Sequence, residues 1–97
     1  MPYYVGLWKW TDQGKNNVKD CVRRERENQA AAEKAGIKVL QVLYTAGRYD
    51  KITIIEAPNA QVAFASGLAM ISTGMGTLKS LEAFTVEEME KIVSKLP

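Results

Sequence analysis

The side chains best suited to chemistry follow one glycine in the middle of the chain. After Gly47 come Arg48, Tyr49 and Asp50, which place a cation, a phenol and a carboxylate side by side. A turn that presents a phenol and a carboxylate could bind a polar ligand or transfer a proton. In the structural alternative, Asp50 hydrogen-bonds to turn amides while the Tyr49 ring packs on a neighbour. Arg48 is then a solvated charge, or an anion-binding group in the functional alternative.

A second polar group is expected between the helices and the sheet. It consists of Glu25, Gln29, Lys9 and Glu56. A carboxylate in that space with a raised pKa would suit a general base. In the structural alternative, Lys9 forms an ion pair with Glu25 or Glu56, or the side chains reach out to water. The candidate ligand-binding residues are therefore Tyr49, Asp50, Arg48, Glu25 and Lys9.

Four aromatic residues form a third group, made up of Tyr4, Trp8, Trp10 and Tyr44. They could line an apolar ligand pocket or fill an interface between two copies of the chain. Stacking of single-stranded RNA is the remaining option, but it requires aromatic residues on the third strand as well. That strand reads K-I-T-I-I-E-A, so we expect no nucleic-acid partner.

The missing residue types restrict the chemistry further. The chain has no histidine, which excludes histidine-ligated haem, most zinc and non-haem iron sites, and imidazole-based triads. We therefore expect no metal and no cofactor. Cys21 is the single cysteine, so no intrachain disulfide forms, and we expect a buried, inert thiol.

The totals favour a cytoplasmic protein without a nucleic-acid or membrane partner. The net charge is +2, and no apolar run approaches the length of a membrane span. The N-terminus enters a strand directly, with no basic segment before an apolar one, so we expect no signal peptide.

Hydrophobic periodicity and capping residues predict seven elements in one domain, residues 1–97. Thr85 and Glu88 form a capping box that begins a short final helix. The other predicted elements are a strand over Tyr3–Trp10, a helix over Lys15–Ala35, strands over Ile37–Ala46 and Lys51–Ala57, a helix over Ala60–Thr73 and a strand over Met75–Phe84.

This order predicts an α+β, ferredoxin-like β-α-β-β-α-β fold with an added C-terminal helix. Right-handed crossovers then give an antiparallel sheet in the order 4-1-3-2, with both main helices on one face. We expect the other face to carry aromatic and β-branched residues, and a homodimer joined sheet to sheet would cover it. In the alternative, the final helix folds across its own sheet. The candidate dimer-interface residues are Tyr4, Trp8, Trp10, Tyr44, Thr53 and Ile55.

Several motifs together resemble one family. The G-x-Y-D of residues 47–50 is the signature of the GYD family of small proteins. The resemblance covers essentially the whole chain, through Thr11–Gly14, Lys19–Asp20, Ile54–Pro58 and Ala83–Thr85. It implies a ferredoxin-like subunit of the dimeric α/β-barrel kind, and little about activity. The hairpin is also similar to one in ligand-binding domains of amino-acid-responsive regulators, and small monooxygenases and dehydratases share the barrel.

Two functional hypotheses follow from these observations. The first is a non-catalytic, cytoplasmic homodimeric module, or a ring of such dimers, that binds a small organic ligand within a subunit or at the interface. The alternative is a small metal-free enzyme of monooxygenase, isomerase or lyase type. Its acid or base would be Tyr49, Asp50 or Glu25.

Overall fold

A computed structural model describes the whole chain, Met1–Pro97, and confirms the predicted order of strands and main helices. Most strands and helices begin or end one to three residues away from the predicted positions. The elements are β1 Tyr3–Trp10, α1 Asp12–Asn16, a 3-10 turn Val18–Asp20, α2 Cys21–Lys34, β2 Lys38–Tyr44, β3 Lys51–Glu56, α3 Ala60–Ile71, β4 Gly76–Ala83 and α4 Val86–Val93.

The four strands form one antiparallel sheet in the order β2-β3-β1-β4, which is the predicted order read from the other edge. β1 is paired along its whole length with β4 and over Tyr3–Trp8 with β3, and Gly6 lies opposite Thr53 and Ser80. β2 carries a bulge between Val39 and Gln41, which shifts its register against β3. The central positions of β1 and β3 are confirmed.

The single long helix predicted over Lys15–Ala35 is wrong. The chain forms α1, a 3-10 turn and α2, and α1 begins after Thr11, whose hydroxyl accepts a hydrogen bond from the Gly14 amide at 3.2 Å. Gly14 lies inside α1, and only glycine fits at this position, since a Cβ there would approach the Met75 carbonyl oxygen to 1.9 Å. The early helix therefore depends on a contact with a distant part of the chain.

The two main helices cover one face of the sheet, α2 over β2 and α3 over β4. α4 makes little contact with the rest of the chain. The radius of gyration is 14.7 Å, against about 12.5 Å expected for a compact chain of this length. The principal extents are 51 × 31 × 19 Å, so the chain is elongated.

The predicted side of the sheet is wrong for the six candidate interface residues. Trp8 is only 5% exposed and lies beneath the Lys51 side chain, which reaches Glu25 of α2. The Tyr44 hydroxyl donates to the Cys21 carbonyl at the start of α2, and the Trp10 ring stacks on Tyr44. Tyr4, Thr53 and Ile55 line the space under the helices.

The physical reason for this error is the composition of the strands. Both faces of β1 and β3 carry apolar groups, so alternation identifies two apolar faces without saying which one the helices cover. The aromatic face is the covered one. None of the four helices is both long enough and apolar enough to cross a membrane.

Candidate functional site

The face of the sheet opposite α2 and α3, here called the open face, is apolar and uncovered. β1 contributes Val5 and Leu7 to its centre, paired across the strands with Ile54 and Ile52. Towards the edges, Leu43 is 51% exposed and Leu81 is 53% exposed. α4 does not fold across this face, so the alternative in which the chain covers its own sheet is wrong. Large exposed apolar patches are typical of interaction surfaces in soluble proteins.

One end of the open face carries three cations around a shallow depression of about 140 Å³. Lys9 donates a hydrogen bond to the Arg48 carbonyl oxygen at 3.2 Å. Tyr49 also lines this depression. Three of the five candidate ligand-binding residues therefore meet here, and their binding of a ligand stays a prediction. The depression is lined by Leu7, Lys9, Arg48, Tyr49, Thr77 and Lys79.

Asp50 joins the turn of residues 47–50 to β1 through hydrogen bonds. Its carboxylate accepts a hydrogen bond from the Trp10 amide at 2.9 Å, and its own amide donates to the Trp8 carbonyl at 2.8 Å. The Thr45 amide donates to the Asp50 carbonyl at 2.9 Å, which closes the hairpin. Gly47 has a φ of +142°, a conformation that side chains rarely adopt. These contacts give the G-x-Y-D motif a structural role, because they hold the turn against the central strand.

A buried ion pair lies on the helix side of the sheet. Lys51 Nζ is 2.6 Å from Glu25 Oε1, and Gln29 Nε2 donates to Glu25 Oε2 at 3.2 Å. The Lys51 ammonium also lies 5.2 Å from the Trp8 ring centroid. Glu25 and Gln29 are thus brought together as expected, whereas Lys9 lies on the open face and cannot pair with Glu25.

Sequence reasoning missed Lys51 as the partner of Glu25. The position of Lys51 could have indicated this pairing. Lys51 is the first residue of β3 and lies opposite Trp8 of β1, on the same side of the sheet. Glu56, the fourth residue expected under the helices, lies instead beside Tyr3 at the far end of the open face.

Two tyrosines have raised pKa values. Burial raises the pKa of Tyr44 to about 12, and the neighbouring Cys21 and Glu25 add to the effect. The hydrogen bond to Glu56 and the charge of that carboxylate raise the pKa of Tyr3. Both shifts favour the neutral phenol over the phenolate.

A wide crevice separates α2 from α3 above the central strands. Its volume is about 800 Å³, and its floor includes Tyr4, Gly6, Thr53 and Ile55. The space stays open because the helices line it largely with small residues. These include Ala31, Ala32 and Ala35 of α2 and Ala60, Ala63, Ala65 and Gly67 of α3. Nowhere in the chain do three or more metal-ligating side chains gather into a cluster that could hold a metal ion.

The sheet order, the one-sided helices and the hairpin turn define an α+β protein with a ferredoxin-like arrangement. The GYD domain profile matches residues 4–93, and the chain belongs to this family. The family identified from the glycine turn is therefore confirmed.

A curated relative comes from Thermus thermophilus. It is 29% identical over 90 residues, which cover 92% of this chain and 95% of the relative. Its name is "Glutamine synthetase and cystathionine beta-lyase binding protein". No solved structure is significantly similar to the chain.

Proposed function

We propose that this GYD-family chain is a non-catalytic, cytoplasmic binding module that works as a homodimer and binds other proteins. The observation that carries the proposal is the uncovered open face. Its central residues Val5, Leu7, Ile52 and Ile54 are flanked by the half-exposed Leu43 and Leu81. A two-fold axis in the plane of this face would bury the same patch on both copies.

This dimer uses the opposite side of the sheet from the aromatic residues expected at the interface. Trp8 is already buried within one subunit, and Trp10 stacks on Tyr44 in the same chain. The open face offers aliphatic side chains on a flat surface, which suits the packing of two sheets about 10 Å apart.

Two observations support binding over catalysis. The carboxylates of Asp50 and Glu25 are both engaged, one by the Trp10 amide and the other by Lys51 and Gln29. The name of the Thermus relative supports a protein partner, and glutamine synthetase and cystathionine beta-lyase are the defined candidates.

Sedimentation velocity with one pair of variants tests the dimer. We expect the wild-type chain, 10.8 kDa per copy, to sediment as a dimer at micromolar concentration. Leu81→Glu places a charge in the open face and should give monomers, because a buried unpaired charge is costly. Leu68→Glu on α3 is the matched control, because its side chain is 47% exposed on the other layer.

A wild-type chain that stays monomeric would contradict the dimer. Dissociation by Leu68→Glu and not by Leu81→Glu would place the interface on the helices instead. The protein-binding part has its own test, in which the purified chain is titrated with glutamine synthetase and cystathionine beta-lyase from its own host. Absence of binding to both enzymes would contradict these partners and leave the dimer unaffected.

A further inference from the structure

The crevice between α2 and α3 is large enough to hold a small molecule. Its volume of about 800 Å³ lies in the upper part of the range of ligand pockets, about 300–1,000 Å³. The sheet forms the floor and the two helices form the walls. This space lies on the opposite side of the sheet from the proposed dimer interface, so a ligand here is independent of that interface.

The charges around the crevice select the kind of ligand. No lysine or arginine is among its lining residues, which include two carboxylates, Glu25 and Glu82. Glu25 is already held by Lys51 and Gln29. Glu82 forms no ion pair and is exposed at the edge of the floor, directly across from Tyr4. The uncompensated charge at the crevice is therefore negative.

From Glu82 the floor of the crevice runs along β4 towards an apolar residue. Ser80 and Leu78 follow on the same side of this strand, and both line the floor. Leu78 lies about 13 Å from Glu82 along the strand, a distance longer than an extended eight-carbon chain, which therefore fits between the two side chains. Leu78 is paired in register with the buried Trp8, and Trp8 with Lys51, so this end of the crevice is closed by packed side chains and lies level with the Lys51–Glu25 ion pair.

From this arrangement we propose that the crevice binds an elongated apolar molecule that carries a positively charged amine. The ammonium group lies near Glu82, and the apolar body lies between the alanine-rich walls of α2 and α3. Fatty acids and phosphorylated ligands are disfavoured, because they would bring an anion to a crevice whose lining has no cation and whose nearby ammonium, that of Lys51, is already paired with Glu25. The crevice thus discriminates by the sign of the charge on the ligand.

Three probes of equal chain length test this proposal by calorimetric titration of the full chain. They are octylamine, octanol and octanoate, each used below its aggregation concentration. We expect octylamine to bind most tightly and octanoate at least about tenfold more weakly. Ala32→Trp fills the crevice from the α2 wall and should abolish binding of all three probes while the far-ultraviolet spectrum stays unchanged.

A charge reversal separates this site from general surface electrostatics. Glu82→Lys should invert the order, so that octanoate binds more tightly than octylamine. Glu33→Lys makes the same change at an exposed α2 residue that does not line the crevice, and it should leave the order unchanged. Equal binding of the amine and the carboxylate, no binding of any probe, or equal effects of the two reversals would overturn the proposal.

Discussion

At the scale of single residues, the least expected feature is a lysine buried against a glutamate in so small a chain. The side chains of Lys51 and Glu25 are 6% and 10% exposed. Ions in such surroundings lose their hydration, and their mutual attraction compensates for that loss only while both are present. Trp8 and Gln29 complete the polar contacts of the pair.

The importance of the Lys51–Glu25 ion pair for stability can be tested by unfolding experiments. Glu25→Gln should lower the free energy of unfolding by about 3–5 kcal/mol, because it leaves the Lys51 ammonium buried without a counter-ion. The double variant Glu25→Met/Lys51→Met should restore most of that loss. Urea denaturation at one fixed protein concentration measures both effects.

Glu27→Gln on the same helix is the control for this experiment. Glu27 pairs with Arg23 at 3.0 Å, but both side chains are more than 60% exposed, so the loss should stay below about 1 kcal/mol. Equal losses of unfolding free energy for Glu25→Gln and Glu27→Gln would show that burial does not determine the strength of the Lys51–Glu25 pair.

The sequence indicated that Glu25 points inward, but the identity of its partner depended on which face of β3 the helices cover.

Among the helices and strands, the sequence predicted a helix start correctly where the residues that determine it are neighbours in the chain. The Thr85–Glu88 capping box forms as predicted, with both reciprocal hydrogen bonds at 2.9 and 3.1 Å. The first helix was mispredicted because its start depends on the close approach of Gly14 to Met75, which precedes β4 and is far from Gly14 in the sequence. Propensity along the chain carries no information about such a contact.

The hairpin turn gives a prediction at this scale. Asp50→Ala removes the acceptor for the Trp10 amide and should lower the free energy of unfolding by about 1.5–3 kcal/mol. Exchange of the Trp10 amide hydrogen with solvent should also become faster, since the turn no longer holds the end of β1. Unfolding monitored by circular dichroism and amide exchange measured by NMR give the two readouts.

Arg48→Ala is the matched control in the same turn. Its side chain is exposed and makes no side-chain hydrogen bond or ion pair, so we expect a change within about 0.5 kcal/mol. If Asp50→Ala were as mild as Arg48→Ala, the carboxylate would be free for another task, and the proton-transfer alternative would gain support.

At the scale of the whole molecule, the open face combines an apolar centre with oppositely charged ends. The basic end carries Lys9, Lys79 and Arg48. The other end, around Tyr3, carries Glu56 beside Lys38, with Glu87 and Glu88 nearby.

The strand order could be predicted from the sequence alone. The sequence could not show which face of the sheet the helices cover, because both faces of the central strands are apolar.

These charged ends predict how the two copies of the proposed dimer stack. An axis that runs across the strands places the basic end of one copy over the acidic end of the other, whereas an axis along the strands places like charges together. The first arrangement is favoured electrostatically, and its advantage should weaken as salt is added. It places β4 over β4 of the second copy, with the strand ends exchanged.

Cross-linking distinguishes the two arrangements in a Cys21→Ser background. In the favoured one, Thr77→Cys of one copy lies over Ala83→Cys of the other, and a short bis-maleimide bridges the roughly 10 Å between the sheets. In the other arrangement, β4 lies over β2, so Thr77→Cys reacts with Leu43→Cys instead. Mixed single-cysteine chains analysed by mass spectrometry therefore report the direction of stacking. A dominant 77–43 product would contradict the electrostatic argument while still supporting a dimer through the open face.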